Sequence, residues 1–125
     1  MSSANPTLVT AWIRYQRIFR SKTDEVDEFE WAMLEPADMC RDAPESAWSV
    51  VLEIISTDDS DQILADVGSG PMEDLLAYHG ALAIDRVESC ARSNPSFKWM
   101  LGIVWKNAIA DDVWSRVKAI APPSW

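Results

Sequence analysis

The only histidine of the chain, His79, and two carboxylates near it, Glu73 and Asp74, are the residues whose types could support catalysis. A histidine beside carboxylates can transfer protons or hold a metal ion. Their spacing argues against this, because side chains six or five residues apart do not stack on one face of a helix. A catalytic site would need a partner from another element, and Asp85 and Glu88 are the nearby candidates. We treat Glu73, Asp74 and His79 as a possible pocket, and we favour a hydrogen-bonded structural histidine.

The stretch around this histidine, from Gly70 to Gly80, has the signals of one short helix. Gly70 suits the N-cap, Pro71 suits the first helical position, and Gly80 suits the left-handed residue that closes a helix. The two carboxylates place negative charge at the helix N-terminus, where it is stabilising. The apolar spacing predicts a buried helix face that has the histidine at its edge and consists of Met72, Leu75, Leu76 and His79.

Other stretches lack the pattern of a catalytic, nucleotide or metal site. Asp58-Asp59-Ser60-Asp61 resembles half of a calcium loop, but the central glycine and the bidentate glutamate are missing, so it indicates a helix cap. Cys40 and Cys90 lie fifty residues apart and are interpreted as small buried thiols, with a disulfide as the alternative. A single histidine disfavours structural zinc. We therefore expect no metal and no cofactor.

The composition predicts a soluble globular protein. The 125 residues are 48% hydrophobic and include seven tryptophans, and a chain of this length can bury one core. No apolar run approaches the roughly 20 residues of a membrane span, and residues 1–6 lack the features of a secretory signal. We expect one cytoplasmic domain over residues 1–125, without a membrane partner.

The net charge of -9 is concentrated in one part of the chain. Residues 1–23 carry four basic residues and no acid, whereas residues 24–74 carry sixteen acids against one arginine. The remainder carries four acids against six basic residues. The domain therefore has an acidic half, residues 24–74, and a tryptophan-rich, nearly neutral half, residues 75–120.

The acidic half indicates the kind of partner. It disfavours nucleic acid, because phosphate recognition needs positive charge, and it favours a basic protein, whose association it would accelerate. The alternative is that acidic helices only keep the protein soluble. The candidate partner-binding residues are ten carboxylates: Asp24, Glu25, Asp27, Glu28, Asp38, Asp42, Glu45, Asp58, Asp59 and Asp61.

Apolar periodicity and cap signals predict an all-α fold of about eight short helices. Pro36 lies inside the second helix, which either continues to about Arg41 or breaks near Leu34, and we prefer a continuous, kinked helix. The predicted helices cover about residues 5–19, 24–41, 44–55, 59–67, 71–79, 82–92, 95–106 and 111–120.

Trp31, Met33 and Leu34 are expected to supply apolar surface on the second helix, and Leu82 is expected to lie opposite the exposed side of the sixth. The seventh helix is apolar nearly all round, up to Trp105, and should be the most deeply buried. Short connections predict antiparallel helical hairpins, with a short HEAT-like array as one arrangement of them.

Several stretches of the second half form a recognisable set: Gly70 to Leu76, His79-Gly80, Ile84 to Glu88, Leu101 to Asn107 and Val113 to Val117. Together they resemble a family of small bacterial all-helical domains of unknown function, over residues 60–118. The chain departs from the family pattern at Ile103 and Ala108, where glycines are expected. The resemblance implies an all-helical fold and no established activity.

These observations favour a non-enzymatic interaction protein. More narrowly, we interpret the chain as an immunity or antitoxin-type protein that neutralises a basic toxin with the acidic surface of residues 24–74. One alternative is a helical scaffold or subunit whose acidity is only solubilising. The other is an enzyme that uses His79 with nearby carboxylates.

Overall fold

The computed structural model describes residues 6–21 and 30–122. Within these ranges the chain forms seven α-helices and no strand, which confirms the all-α fold class. The helices are α1 (Pro6–Ser21), α2 (Glu30–Asp42), α3 (Pro44–Thr57), α4 (Asp61–Ser69), α5 (Pro71–Ser93), α6 (Pro95–Leu101) and α7 (Asp111–Ile120). None of the helices in this part of the chain combines the length and apolar character needed to cross a lipid bilayer.

Local signals account for most of the helix starts. Four helices begin with proline, which has no backbone N–H to lose at the first helical position: Pro6, Pro44, Pro71 and Pro95. Asn94 caps α6, because its side-chain oxygen accepts a hydrogen bond from the backbone N–H of Phe97 at 3.1 Å. These starts agree with the prediction.

The start of α4 was predicted two residues too early, at Asp59. Asp58 shapes the preceding turn instead, since its Oδ1 accepts a hydrogen bond from the backbone N–H of Ser60 at 3.1 Å. The helix then begins at Asp61. The carboxylate that suggested a helix cap therefore stabilises the turn before the helix.

Helix α2 runs through Pro36 without a break, so the continuous helix was the correct alternative. Its buried stripe consists of Ala32, Pro36 and Cys40, each four residues from the last. The predicted residues 24–29 of this helix lie outside the described part of the chain. Trp31, Met33 and Leu34, expected to supply apolar surface on this helix, are all exposed, so that surface is not the buried stripe.

Helix α5 is the longest element, with 23 residues, and it is kinked at His79, where φ is -136° and ψ is 38°. The prediction that Gly80 closes a helix in a left-handed conformation is wrong, because no described glycine has a positive φ. The chain instead resumes a helix that continues to Ser93. Two predicted helices are thus one kinked helix, which reduces the expected eight to seven.

Gly80 lies where α5 and α7 pack closely. A Cβ at this position would lie 3.0 Å from each of the two Cγ atoms of Val113 in α7. The missing side chain lets α7 approach α5 closely. The expected burial of Leu82, two residues later, is also wrong, because this side chain is exposed.

Helix α6 ends at Leu101, earlier than predicted. The backbone N–H groups of residues 102, 103 and 104 bond to carbonyl oxygens three residues back, which tightens and ends the helix. An irregular segment, residues 102–110, follows. Asn107 takes the left-handed conformation expected of it, with φ of 35°. Trp105, expected in a buried helix, is exposed.

The core is a single buried cluster to which all seven helices contribute. At its edge, the ring of the partly buried Trp48 packs against the ring of Phe97 edge to face, with the centroids 5.8 Å apart. Helix α5 packs against α2, α3, α4, α6 and α7. A HEAT-like array would confine contacts to neighbouring repeats, so the fold is better described as a bundle around α5.

Candidate functional site

The outward side of α2 combines exposed apolar and acidic side chains. Trp31 and Leu34 are 44% and 57% exposed. Asp38 follows Leu34 by four residues, so it lies on the same side of the helix, and exposed Glu35 and Asp42 flank it. We call Trp31, Leu34, Glu35, Asp38 and Asp42 the α2 face.

Contacts of α2 with α1 and α5 fix the orientation of the α2 face. The thiol of Cys40 donates a hydrogen bond to the carbonyl oxygen of Pro71 at 3.2 Å, which joins α2 to the start of α5. The Nε2 amide of Gln16 in α1 lies 3.6 Å from the sulfur of Met33. Because α2 is held on both α1 and α5, the α2 face has a defined orientation.

The α2 face is acidic even after its internal ion pairing. Helix α2 contains four carboxylates and one arginine, for a net charge of -3. Arg41 donates two hydrogen bonds to Asp42, at 3.0 and 2.9 Å, and also lies 3.5 Å from Asp38. The hydrogen bonds from Arg41 lower the pKa of Asp42. One guanidinium therefore serves two carboxylates, and the helix remains negative.

The other predicted partner-binding residues divide into three groups. Asp24, Glu25, Asp27 and Glu28 lie outside the described residues. Asp61 is exposed at the start of α4. Glu45, Asp58 and Asp59 contact side chains of other helices in the same chain.

Two of these carboxylates bind arginines 41 residues away in the sequence. Glu45 accepts two hydrogen bonds from Arg86, at 2.7 and 2.8 Å, and these bonds lower its pKa. Asp58 forms an ion pair with Arg17. Asp59 accepts a hydrogen bond from the hydroxyl of Ser96 at 3.1 Å. Part of the acidic half thus connects α3 and the α3–α4 turn to α1, α5 and α6.

The residues of the possible pocket have three different surroundings. Glu73 accepts a hydrogen bond from the side-chain amide of Asn107 at 2.7 Å. His79 Nε2 donates to the carbonyl oxygen of Arg41 at 2.8 Å, so this nitrogen cannot act as a base while the bond holds. Asp74 is half-buried, and its pKa is raised first by burial and then by the charge of Glu73. Among the described residues, no three His, Cys, Asp or Glu side chains form a metal-binding group.

A groove of about 500 Å³ lies between residues 102–106 and helix α7. Trp105 is 69% exposed. Each of the other large exposed apolar residues in the described part of the chain is less exposed than Trp105. Trp114 lines the α7 side, with the ammonium of Lys118 5.8 Å from its ring centroid. Lys106 lies beside Trp105 and pairs with Asp111 at 2.9 Å. We call this feature the tryptophan groove.

Sequence reasoning identified Asp38 and Asp42 of the α2 face, but it missed the exposed apolar residues of both surfaces, because it treated the apolar positions of these helices as packing surface. The signal that could have identified the α2 face is the stripe of Ala32, Pro36 and Cys40, which is small enough for close helix packing and leaves Trp31 and Leu34 outside. For the tryptophan groove, the signal was Gly102, because a glycine after an apolar helix often marks its end.

Comparison with known proteins gives a family and no activity. Residues 20–124 match the model of a family of unknown function, DUF6869. The match includes α2 to α7 entirely and agrees with the resemblance inferred from the sequence. No curated protein and no solved structure matches the chain. The chain belongs to the family DUF6869, whose function is unknown.

Proposed function

We propose that this protein is a non-enzymatic interaction protein that binds a basic protein partner through the α2 face. The observation that supports it is the exposure of Trp31 and Leu34 on the same helix side as the carboxylates of Glu35, Asp38 and Asp42. Exposed apolar residues that are rimmed by charge are typical of protein interfaces, and tryptophan is a frequent anchor in them.

The negative charge of the protein would determine both which partner binds and how fast the two proteins associate. A basic partner is attracted by the net charge of -9 and oriented by the local charge of -3 on α2. The apolar contacts of Trp31 and Leu34 would then supply affinity at the centre of the interface. This division of roles predicts binding that weakens with salt but does not vanish.

We further propose that the partner is a toxin and that the protein is of the immunity or antitoxin type. An enzyme that acts on nucleic acid needs a basic cleft, because its substrate carries phosphates. An acidic helix face with apolar anchors is complementary to such a cleft and would block it. Binding would take place in the cytoplasm, where thiols such as those of Cys40 and Cys90 stay reduced.

Neutralisation of a partner tests this function. The tagged protein is purified from its native host, and a co-purifying basic protein is identified and then expressed in a heterologous host. We expect that protein to arrest growth and the wild-type chain to restore growth. Glu35→Lys with Asp38→Lys should not restore growth.

A matched control separates the α2 face from net charge. Glu53→Lys with Asp112→Lys makes the same change in charge on α3 and α7, and this variant should restore growth like the wild type. Equal rescue by both double variants would contradict the proposal. A partner without toxicity would contradict the immunity assignment.

A further inference from the structure

We propose that the α2 face of one copy docks into the tryptophan groove of a second copy, so that the protein associates with itself. The contact needs no toxin, and it goes beyond the function proposed above. The inference is based on the α2 face and the tryptophan groove, which differ in shape and in charge.

The tryptophan groove is apolar inside and positive at its rim. Trp105 and Trp114 supply flat apolar walls, and a volume of about 500 Å³ suits a few side chains. Lys106 and Lys118 stand at the rim, where Lys106 pairs with Asp111 of the same chain and the three side chains together keep one net positive charge. The groove therefore favours an occupant that carries apolar side chains next to carboxylates.

The α2 face has this chemistry. Trp31 and Leu34 can enter between the groove tryptophans, while Glu35 and Asp38, in the same stretch of helix, can meet the groove lysines. Aromatic contact and charge pairing then act together, whereas the molecule as a whole repels its copies at a net charge of -9. The α2 face is therefore complementary to the tryptophan groove in apolar character and in local charge, and a second copy of the chain can bind there.

The two surfaces lie at different places on the bundle. Helix α2 contacts α5 where Cys40 meets Pro71 and where Arg41 meets His79, whereas α7 contacts α5 at Gly80 and, through Arg116, at Asp85 and Glu88. The contact joins unlike surfaces, so it is of the heterologous type. Because it is small, we expect a dissociation constant on the order of 100 µM.

Sedimentation equilibrium of the purified full-length protein tests the inference, from about 10 µM to about 1 mM. The wild type should rise from the monomer mass of 14.0 kDa and pass twice that mass at the highest concentration, because a heterologous contact leaves every dimer with one open α2 face and one open groove. Lys106→Glu with Lys118→Glu should stay monomeric, and so should Glu35→Lys with Asp38→Lys. Mixed in equal amounts, these two variants should associate again, because each supplies the surface that the other has lost.

The controls address folding and net charge. Circular dichroism checks that each variant is folded, and Trp105→Ala, at an exposed site, provides a second way to remove the groove contact. Glu53→Lys with Asp112→Lys should associate at least as well as the wild type. A wild type that keeps the monomer mass at about 1 mM overturns the inference. Association that survives both charge reversals also overturns it, and neither result bears on toxin binding.

Discussion

The ring of His79 donates a hydrogen bond from Nε2 to the carbonyl oxygen of Arg41 at 2.8 Å, and this bond ties the kink of α5 to the last turn of α2. The Arg41 carbonyl is among the final four of its helix, which have no partner within the helix. The contact positions the C-terminal end of the α2 face, since Asp42 is the next residue. The histidine thus has a structural role in holding the proposed interface.

Replacing His79 with phenylalanine should lower the free energy of unfolding by about 1 kcal/mol. Phenylalanine keeps a ring at the position but cannot donate, so the Arg41 carbonyl loses its partner. Urea unfolding followed by circular dichroism measures the change. Tyr78→Phe, at the neighbouring exposed position, is the control and should stay close to the wild type. Equal stability of all three proteins would show that the hydrogen bond contributes nothing.

Alanine at Gly68 should destabilise the protein, although alanine normally favours a helix. Its Cβ would lie 2.8 Å from the carbonyl oxygen of Met100, a backbone atom that cannot move alone. The expected loss is about 1–3 kcal/mol, as for other overpacked cores. Gly80→Ala is the matched comparison, because its Cβ meets only the Val113 side chain, at 3.0 Å. Thermal unfolding that ranks Gly80→Ala as the more damaging change would contradict this account.

The Glu45–Arg86 pair should make stability depend on pH. Arg86 holds the pKa of Glu45 below its ordinary value, so the pair stabilises the fold above the unfolded pKa of about 4.3 and ceases to do so as the pH falls through the lower folded value. Glu45→Gln should therefore be less stable than the wild type at neutral pH, with the difference closing in acid. Glu53→Gln, also in α3, controls for loss of charge. A difference that persists unchanged in acid would show that Glu45 acts through packing.

The two thiols should react at different rates. Burial, together with the charge of Asp74, raises the pKa of Cys40 to about 12, which leaves almost no thiolate at pH 8. Cys90 is only partly buried, and burial raises its pKa as well. An aromatic disulfide reagent should label Cys90 first and Cys40 only after unfolding, with Cys40→Ala and Cys90→Ala variants to assign the phases. Labelling of Cys40 as fast as that of Cys90 would be inconsistent with its burial beside Pro71.

The order of the helices could be predicted from the sequence because their starts are marked locally. Pro44, Pro71 and Pro95 act on the backbone of the residues around them, whatever the rest of the chain does. The role of Gly80 could not be predicted. A glycine that ends a helix and a glycine that allows close packing of a second helix cannot be distinguished in the sequence. The distinction requires the packing partner, which is Val113 here.

The candidate interface was only partly predictable, for a related reason. Asp38 and Asp42 were identified by their charge, but the positions of Trp31 and Leu34 depend on which stripe of α2 the bundle buries. Glu45 was predicted to bind a partner, and its contact with Arg86 spans 41 residues, which no local pattern reveals. Tertiary contacts decide which charges stay available.

The most direct test of the α2 face is its contribution to affinity for the identified basic partner. Isothermal titration calorimetry compares the wild type with Trp31→Ala, with Glu35→Lys plus Asp38→Lys, and with Glu53→Lys plus Asp112→Lys. We predict at least about tenfold weaker binding for the two α2 variants, because close interfacial charge pairs and aromatic anchors each contribute more than 1.4 kcal/mol. The control should bind within about threefold of the wild type. Wild-type affinity in both α2 variants would contradict the claim that this face binds the partner.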